Sequence, residues 1–376
     1  SGIFHGHIRN VVGNGVVLDP VIFRREVEVL LAKGVPVREN LLLSKKAQVI
    51  LPTHRMLDAA YEQQKGDQKI GSTLKGIGPT YQDKYARVGL RVGDLAAPDF
   101  TARYARLVDR HHATLRQYDY DLSALPDEEE HFMAAVEFIR TLPLTDSEYL
   151  INQAMTDGQT VLAEGAQGSM LDIDFGSYPF VTSSTTMAAG ACTGLGVAPR
   201  QIGEVFGIFK AYCTRVGSGP FPTELHDDTG EVIRREGAEF GATTGRARRT
   251  GWLDLPALKY AAMLNGVTQL LMMKADVLNG FEEISVCVRY RRADGTETDQ
   301  LPYDFLAEPV TPVYETLPGW RCGLEACHAF DDLPAALRDY VAYIERHLAL
   351  PVTLVSTGPD RAQTVRRDTL PRAVVS

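Results

Sequence analysis

Leu270-Leu271-Met272-Met273-Lys274-Ala275-Asp276 sets a short apolar run directly against a lysine and a carboxylate. A run of this length, closed by polar residues, reads as a strand buried on both faces, as in a parallel sheet covered by helices. The pattern recurs three times. Thr160-Val161-Leu162-Ala163-Glu164 reads as a buried strand ending in Gly165-Ala166-Gln167-Gly168. Val205 to Tyr212 runs into Thr214-Arg215-Val216-Gly217-Ser218-Gly219-Pro220, and Val352 to Val355 into Ser356-Thr357-Gly358-Pro359-Asp360-Arg361. Open α/β sheets bind ligands at the carboxyl ends of their strands, so four strands ending in such loops predict one composite site.

The flanking chain supports an α/β fold with a mostly parallel central sheet flanked by helices. Val11 to Leu18 is β-rich but broken by glycines, and Asp19-Pro20 then supplies a cap and a first-turn proline for a helix to about Lys33, stopped by Gly34. Val37 to Leu43 reads as a strand and Thr53 to Gln64 as a helix. Between about 99 and 157 the pattern turns almost wholly helical, a helical excursion from the sheet. Ile284 to Tyr290 followed by Asp294-Gly295 predicts a β-hairpin. With no repeat and no clear linker, residues 1–376 read as a single elaborated domain.

The 376 residues are 44% hydrophobic and 23% charged, enough for a large core, and the net charge of −9 leaves no basic footprint for nucleic acid. Local arginines are therefore expected to serve small anions. Five scattered cysteines without a C-x-x-C pair fit a reducing compartment, and Cys322, Cys327 and His328 lack the second ligand pair that zinc requires. With neither a signal peptide nor a membrane-length apolar run, the chain is read as soluble and cytoplasmic, with no membrane partner.

Three stretches carry chemistry. Gly241-Ala242-Thr243-Thr244-Gly245-Arg246-Ala247-Arg248-Arg249-Thr250-Gly251-Trp252 packs arginine forks, hydroxyls and glycines together, which suits carboxylates or phosphates; the alternative is a solvated basic turn. In Lys274-Ala275-Asp276, one carboxylate matches the adjacent N1–H and N2 amine of guanine while the lysine stem can lie over the purine; alone, such a triplet is common and usually a surface turn. Gly71-Ser72-Thr73-Leu74-Lys75-Gly76-Ile77-Gly78-Pro79 suits a phosphate cradle, yet neither a Walker A loop nor a G-x-G-x-x-G occurs anywhere. A plain nucleotide triphosphatase reading therefore lacks its main phosphate loop. Gln167 could face a base or a reacting oxygen, or merely cap a strand, and Thr182-Ser183-Ser184-Thr185-Thr186 could meet a phosphate or be only a loop. His111-His112 in the helical excursion read as facing solvent.

Glu164-Gly165-Ala166-Gln167-Gly168, Leu171-Asp172-Ile173-Asp174, Tyr178-Pro179 with Val181-Thr182-Ser183-Ser184, Thr214-Arg215-Val216-Gly217 with Gly219-Pro220-Phe221-Pro222-Thr223-Glu224, and the Thr-Thr-Gly-Arg loop together resemble the adenylosuccinate synthetase family. The resemblance runs from Ile8 to Arg361 with the motifs in the family's order. It implies a P-loop-NTPase-like fold, without the P-loop in this sequence, and GTP-dependent ligation of IMP and L-aspartate through a 6-phosphoryl-IMP intermediate, in AMP biosynthesis. It further implies IMP contacts at Thr73, Arg87, Gln167, Thr182, Val216 and Arg246, with Arg87 lent across a homodimer interface and Gln167 facing the reacting part of IMP. Thr243, Thr244, Arg246 and Arg248 would hold aspartate, while Arg248, Lys274, Asp276, Ser356, Thr357 and Gly358 would hold GTP. The family's phosphate loop, with its catalytic aspartate that also binds Mg2+ and a catalytic histidine, is expected before Ser1 and is absent from this sequence. Met273, where the family often has threonine, and Ser72-Thr73-Leu74-Lys75, where it usually has Thr-Thr-Gly-Arg, depart from the pattern. Two alternatives stand beside this reading: a truncated, non-catalytic purine-nucleotide-binding protein, and a related synthetase acting on another purine monophosphate.

Overall fold

Asp19 does what its place before a proline predicts: its Oδ1 accepts from the Val21 and Ile22 amides at 2.9 and 3.1 Å and opens a helix that runs from Pro20 to Ala32 and ends at Gly34, φ 74°. The structure, a computed structural model, describes residues 2–66, 69–241 and 245–367. These fall into two compact units, one of residues up to Asp174 with Val181–Gln201, the other of Phe175–Phe180 with Ile202 onward.

In the first unit the strands are β1 (Asn10–Val12), β2 (Val17–Leu18), β3 (Leu41–Ser44), β4 (Gln48–Val49) and β5 (Leu144–Thr145). Its helices are α1 (Pro20–Ala32), α2 (Val37–Asn40), α3 (Pro52–Gln64), α4 (Ile77–Ala86), α5 (Phe100–Gln117), α6 (Leu125–Arg140), α7 (Ser147–Thr156) and α8 (Ala189–Leu195). β1, β3 and β5 form a parallel sheet with β3 central, and β2 pairs parallel with β4. Leu43, Val49, Leu51, Val92, Leu95, Phe132 and Ile139 fill the core beneath α5 and α6, so the helical excursion supplies its cover. Val37 to Leu43 is only half a strand: Val37–Asn40 makes a helical turn and pairing begins at Leu41.

In the second unit the strands are β6 (Phe206–Lys210), β7 (Cys213–Arg215), β8 (Arg249–Gly251), β9 (Leu253–Asp254), β10 (Gln269–Met273), β11 (Glu283–Arg291), β12 (Glu297–Thr298), β13 (Thr311–Pro318), β14 (Val352–Ser356) and β15 (Thr364–Arg366). Its helices are α9 (Asp228–Glu236), α10 (Leu255–Asn265) and α11 (Ala335–Leu348). The sheet runs β15-β14-β10-β6, with β14, β10 and β6 parallel and β15 antiparallel at one edge. Leu270, Met272, Val352 and Val355 are buried in it, as the apolar runs predict, against Leu337, Val341 and Ile344 of α11. The predicted hairpin is β11 with β12, turned through Gly295 at φ 86°.

Thr160–Glu164 is not the buried strand predicted for it. It carries no strand pairing, and Leu162 is 78% exposed. Three of the four expected strands thus form one parallel sheet, and the fourth segment lies exposed and without strand structure in the first unit.

Candidate functional site

In the first unit the loop between α3 and α4 is clamped by two acids one helical turn apart on α3. Glu62 Oε1 accepts from the Gly71 and Ser72 amides at 2.6 and 3.2 Å, and Asp58 accepts from the Ser72 hydroxyl at 2.8 Å and the Gly76 amide at 2.9 Å. The backbone cradle expected from the glycines is therefore partly occupied by carboxylates. What the loop presents outward is Thr73 and Leu74, both exposed, with Lys75 half-buried beside them. Gly76 sits at φ 75° with the space for a Cβ closed by the His54 and Arg55 backbone at 3.0 Å, so only glycine opens α4 at this distance from α3.

The Thr182–Thr186 loop packs beside the start of α4: a Cβ on Gly78 would stand 3.4 Å from the Ser183 hydroxyl. Asp172, fully buried, holds this loop, with Oδ2 accepting from the Thr186 amide at 2.8 Å and Oδ1 from the Asp174 amide at 3.0 Å. Sequence reasoning gave Asp172 no role; its signal was a carboxylate inside an otherwise apolar Leu-Asp-Ile triplet. Thr182 is thereby placed with its hydroxyl 3.5 Å from that of Ser184. Gln167 is exposed at φ 64°, a left-handed conformation that a branched or long side chain rarely adopts without a reason. Arg87 caps α4 at φ 64°; its side chain is exposed and has no hydrogen-bond or ion-pair partner among the described residues.

His111 does not face solvent. It is buried, its Nε2 lies 2.8 Å from Asp83 Oδ2 and its Nδ1 2.6 Å from the Thr53 hydroxyl, while His54 Nε2 approaches the same Asp83 oxygen at 2.9 Å. Among the described residues this is the one cluster of three groups with metal-ligand atoms in reach of each other. It does not fit Mg2+, which demands an oxygen octahedron. Nor is it open to a softer ion: His54 Nδ1 accepts the Leu51 amide at 2.9 Å, so a neutral ring carries its proton on Nε2 and donates it to Asp83. Burial pushes the His54 pKa down, and the two imidazole bonds, outweighing the cost of burial, hold Asp83 far below the usual carboxylate range.

In the second unit β6, β10 and β14 end side by side. Lys274, directly after β10, stands at φ 60° and gives its Nζ to the Gly237 carbonyl at 2.6 Å and Glu239 Oε1 at 3.1 Å. Asp276 Oδ1 is buried without a hydrogen-bond partner, and burial raises the Asp276 pKa against the opposing pull of Lys274. On the neighbouring strand end Ser356 donates to the Gly358 carbonyl at 2.9 Å, and the Thr357 hydroxyl is a second buried polar atom without a partner. Buried acceptors and donors are ordinarily paired, so two orphans at the ends of adjacent strands mark a place prepared for a polar ligand.

The three arginines of the glycine-rich loop differ in what occupies them. Arg249 is consumed internally: Nε bonds Glu224 Oε1 at 2.7 Å, Nη2 bonds Glu224 Oε2, and Nη1 bonds the Gly219 carbonyl at 2.8 Å. It braces the Arg215–Glu224 segment and is not an anion receptor. Arg248 gives Nη1 to Glu239 Oε2 at 2.6 Å and keeps two further donor nitrogens. Arg246 is exposed. Val216 lies 40% exposed just past β7. Thr243 and Thr244 lie outside the described residues.

A model of the family described as adenylosuccinate synthetase matches residues 1–365. The chain belongs to the adenylosuccinate synthetase family. It is 59% identical over 369 residues to the adenylosuccinate synthetase of Cytophaga hutchinsonii and 55% over 371 to that of Bacteroides thetaiotaomicron, in both cases over 98% of this chain and 86% of the other protein. The fully ligated adenylosuccinate synthetase of Plasmodium falciparum superposes with a TM-score of 0.89 at 35% identity, over 95% of this chain and 84% of that one. Cyanophage S-2L succinoaminodeoxyadenylate synthetase shares the fold alone, with a TM-score of 0.55 at 20% identity over 96% and 76% of the two chains. Among the described residues no helix is long and apolar enough to cross a membrane.

Proposed function

We infer that this member of the adenylosuccinate synthetase family joins IMP and L-aspartate to adenylosuccinate, with GTP converted to GDP and phosphate, in AMP biosynthesis. Two displacements balance the reaction. As N1 gives up its proton, the IMP 6-oxygen attacks the terminal phosphorus of GTP and GDP leaves; the aspartate amine then attacks C6, the 6-phosphoryl group departs as phosphate and the amine loses a proton.

The observation that carries the GTP assignment is the unpartnered, buried Asp276 Oδ1 at the end of β10. Guanine offers two adjacent donors and a carboxylate two acceptors, so this pair satisfies both sides. Thr357 and the Ser356–Gly358 turn form the other wall of that base pocket, and Lys274 lies along it. Arg246 and Arg248, with Thr243 and Thr244, take the aspartate carboxylates, and Arg248 also reaches the GTP side; Arg246 and Val216 belong with IMP. In the first unit Thr73 and Thr182 meet the IMP phosphate and Gln167 its reacting edge. The strained Gln167 backbone and the Asp172-braced loop support these placements.

Mg2+ is assigned to the GTP phosphates, where it would neutralise charge as phosphoryl transfer proceeds. The His54–Asp83–His111 group does not fit it, so no step is routed through that cluster. Arg87, exposed and unpaired among the described residues, supports a homodimer in which it reaches the partner's site; a sedimenting monomer at all protein concentrations would remove that part of the reading. The function itself is tested by following adenylosuccinate formation with each of IMP, aspartate, GTP and Mg2+ left out in turn. Product should require all four. Product formed equally well with ATP in place of GTP would overturn the guanine assignment.

A further inference from the structure

Glu239 is a fully buried carboxylate on which three cations converge. Oε1 accepts from Lys210 Nζ at 2.8 Å, Lys274 Nζ at 3.1 Å and the Tyr212 hydroxyl at 2.5 Å; Oε2 accepts from Arg248 Nη1 at 2.6 Å. Its main chain joins the same group, since the Arg248 amide donates to the Glu239 carbonyl at 2.9 Å. The donors come from three places: the carboxyl end of β6, the carboxyl end of β10, and the far side of the glycine-rich loop. The turn that delivers Glu239 is built tightly, because a Cβ on Gly237 would lie 2.4 Å from the Tyr212 hydroxyl and Ala238 adopts φ 46°. Burial alone would raise the Glu239 pKa, but the bonds from Lys210, Tyr212 and Arg248 bring it down to about 2, so it is charged at any working pH.

We propose that Glu239 is a positioning residue that fixes Arg248 and Lys274 as one unit, tying the aspartate loop to the guanine pocket. The inference rests on the assignment of those two side chains to aspartate and GTP. Each is a long chain with several rotatable bonds, and an ordered anchor removes the entropy that substrate binding would otherwise have to supply. Lys210 has no assigned substrate; its part is to keep the Glu239 carboxylate charged and in place.

The sign of the effect separates positioning from bare electrostatics. Removing a negative charge next to Arg248 and Lys274 makes the surroundings more attractive to anionic substrates, so a purely electrostatic role predicts lower Michaelis constants in Glu239→Gln. Positioning predicts the reverse: the amide keeps one acceptor and turns an NH2 toward the donors on its other side, so Arg248 and Lys274 are no longer held as one unit and KM for aspartate and for GTP rises by about 10-fold, with KM for IMP unchanged. Tyr212→Phe keeps the charge and the shape but removes one bond from Oε1, and should raise the same two constants by a smaller factor; it carries the test if Glu239→Gln does not fold. Arg248→Met and Lys274→Met are measured alongside. If these two leave aspartate and GTP use untouched, the substrate assignment fails. If they impair it while Glu239→Gln and Tyr212→Phe leave or lower both constants, or only reduce kcat and melting temperature together, the positioning role is overturned and the assignment stands.

Discussion

Asp276→Asn changes one oxygen for one NH2 with almost no change in volume, and the structure sets what that should do. Asp276 Oδ1 is buried and unpaired, and Lys274 Nζ is already committed to Glu239 and Gly237, so the carboxylate is the group at the end of β10 with acceptor capacity to spare. Under the proposed assignment, guanine would fill both oxygens through N1–H and the N2 amine. Asparagine leaves one acceptor and turns a donor toward a donor. Losing one charge-assisted hydrogen bond costs about 1.5 to 3 kcal/mol, equivalent to about 10- to 150-fold in KM for GTP. ITP, which lacks the N2 amine, makes only the N1–H contact and should suffer less, so the preference for GTP over ITP should shrink toward unity. XTP, with a carbonyl at C2, offers an acceptor to the new NH2 and should improve. The assay is initial-rate adenylosuccinate formation with the three triphosphates, KM for aspartate and IMP serving as internal controls. An Asp276→Asn enzyme that keeps its full discrimination between GTP and ITP would refute the assignment of this carboxylate to the base.

Arg246→Leu should raise KM for aspartate by at least about 10-fold, since a carboxylate loses a charge-assisted partner; unchanged kinetics in a steady-state aspartate titration would count against the loop's role. Asp254 is nearly wholly buried; burial lifts its pKa to about 6, against the opposing bonds from the Tyr290 hydroxyl and the Ala257 amide that it caps. Its folded form therefore holds a proton that the unfolded chain has already lost, and stability falls as pH rises from about 4 to about 6. Relative to the native chain, Asp254→Asn should gain about 2 to 3 kcal/mol across that window and nothing further above about pH 7, read from urea midpoints; parallel pH profiles would contradict it. Gly76→Ala places a methyl against the His54 and Arg55 backbone at 3.0 Å and forces a left-handed alanine, so it should cost about 1 to 3 kcal/mol in thermal stability. A melting temperature equal to the native one would show that α3 and α4 separate more easily than their packing indicates.

The apolar runs before Lys274 and Ser356 read correctly because a strand buried on both faces writes its environment into consecutive residues. Leu270, Met272, Val352 and Val355 have no other way to leave water. Thr160–Glu164 has the same composition and failed, because a strand needs a partner as well as a pattern, and pairing is a fact about distant residues that no local window contains. Among the described residues it finds none, and Leu162 stays exposed. The arginines show the same division at the level of single side chains. Arg246, Arg248 and Arg249 sit within four residues and carry the same fork, yet Glu224 consumes Arg249 through two oxygens and Glu239 takes one nitrogen of Arg248. Nothing in the order of letters distinguishes an arginine facing a substrate from one facing an acid 25 residues upstream. What separates them is which backbone turn brings a carboxylate within 3 Å, and that is decided by Gly237, Ala238 and the β7–β8 pairing of Arg215 with Arg249, not by the arginines themselves. A reading of residue chemistry therefore identifies the kind of ligand a loop can serve, and only the fold's own acids determine which side chains remain to serve it.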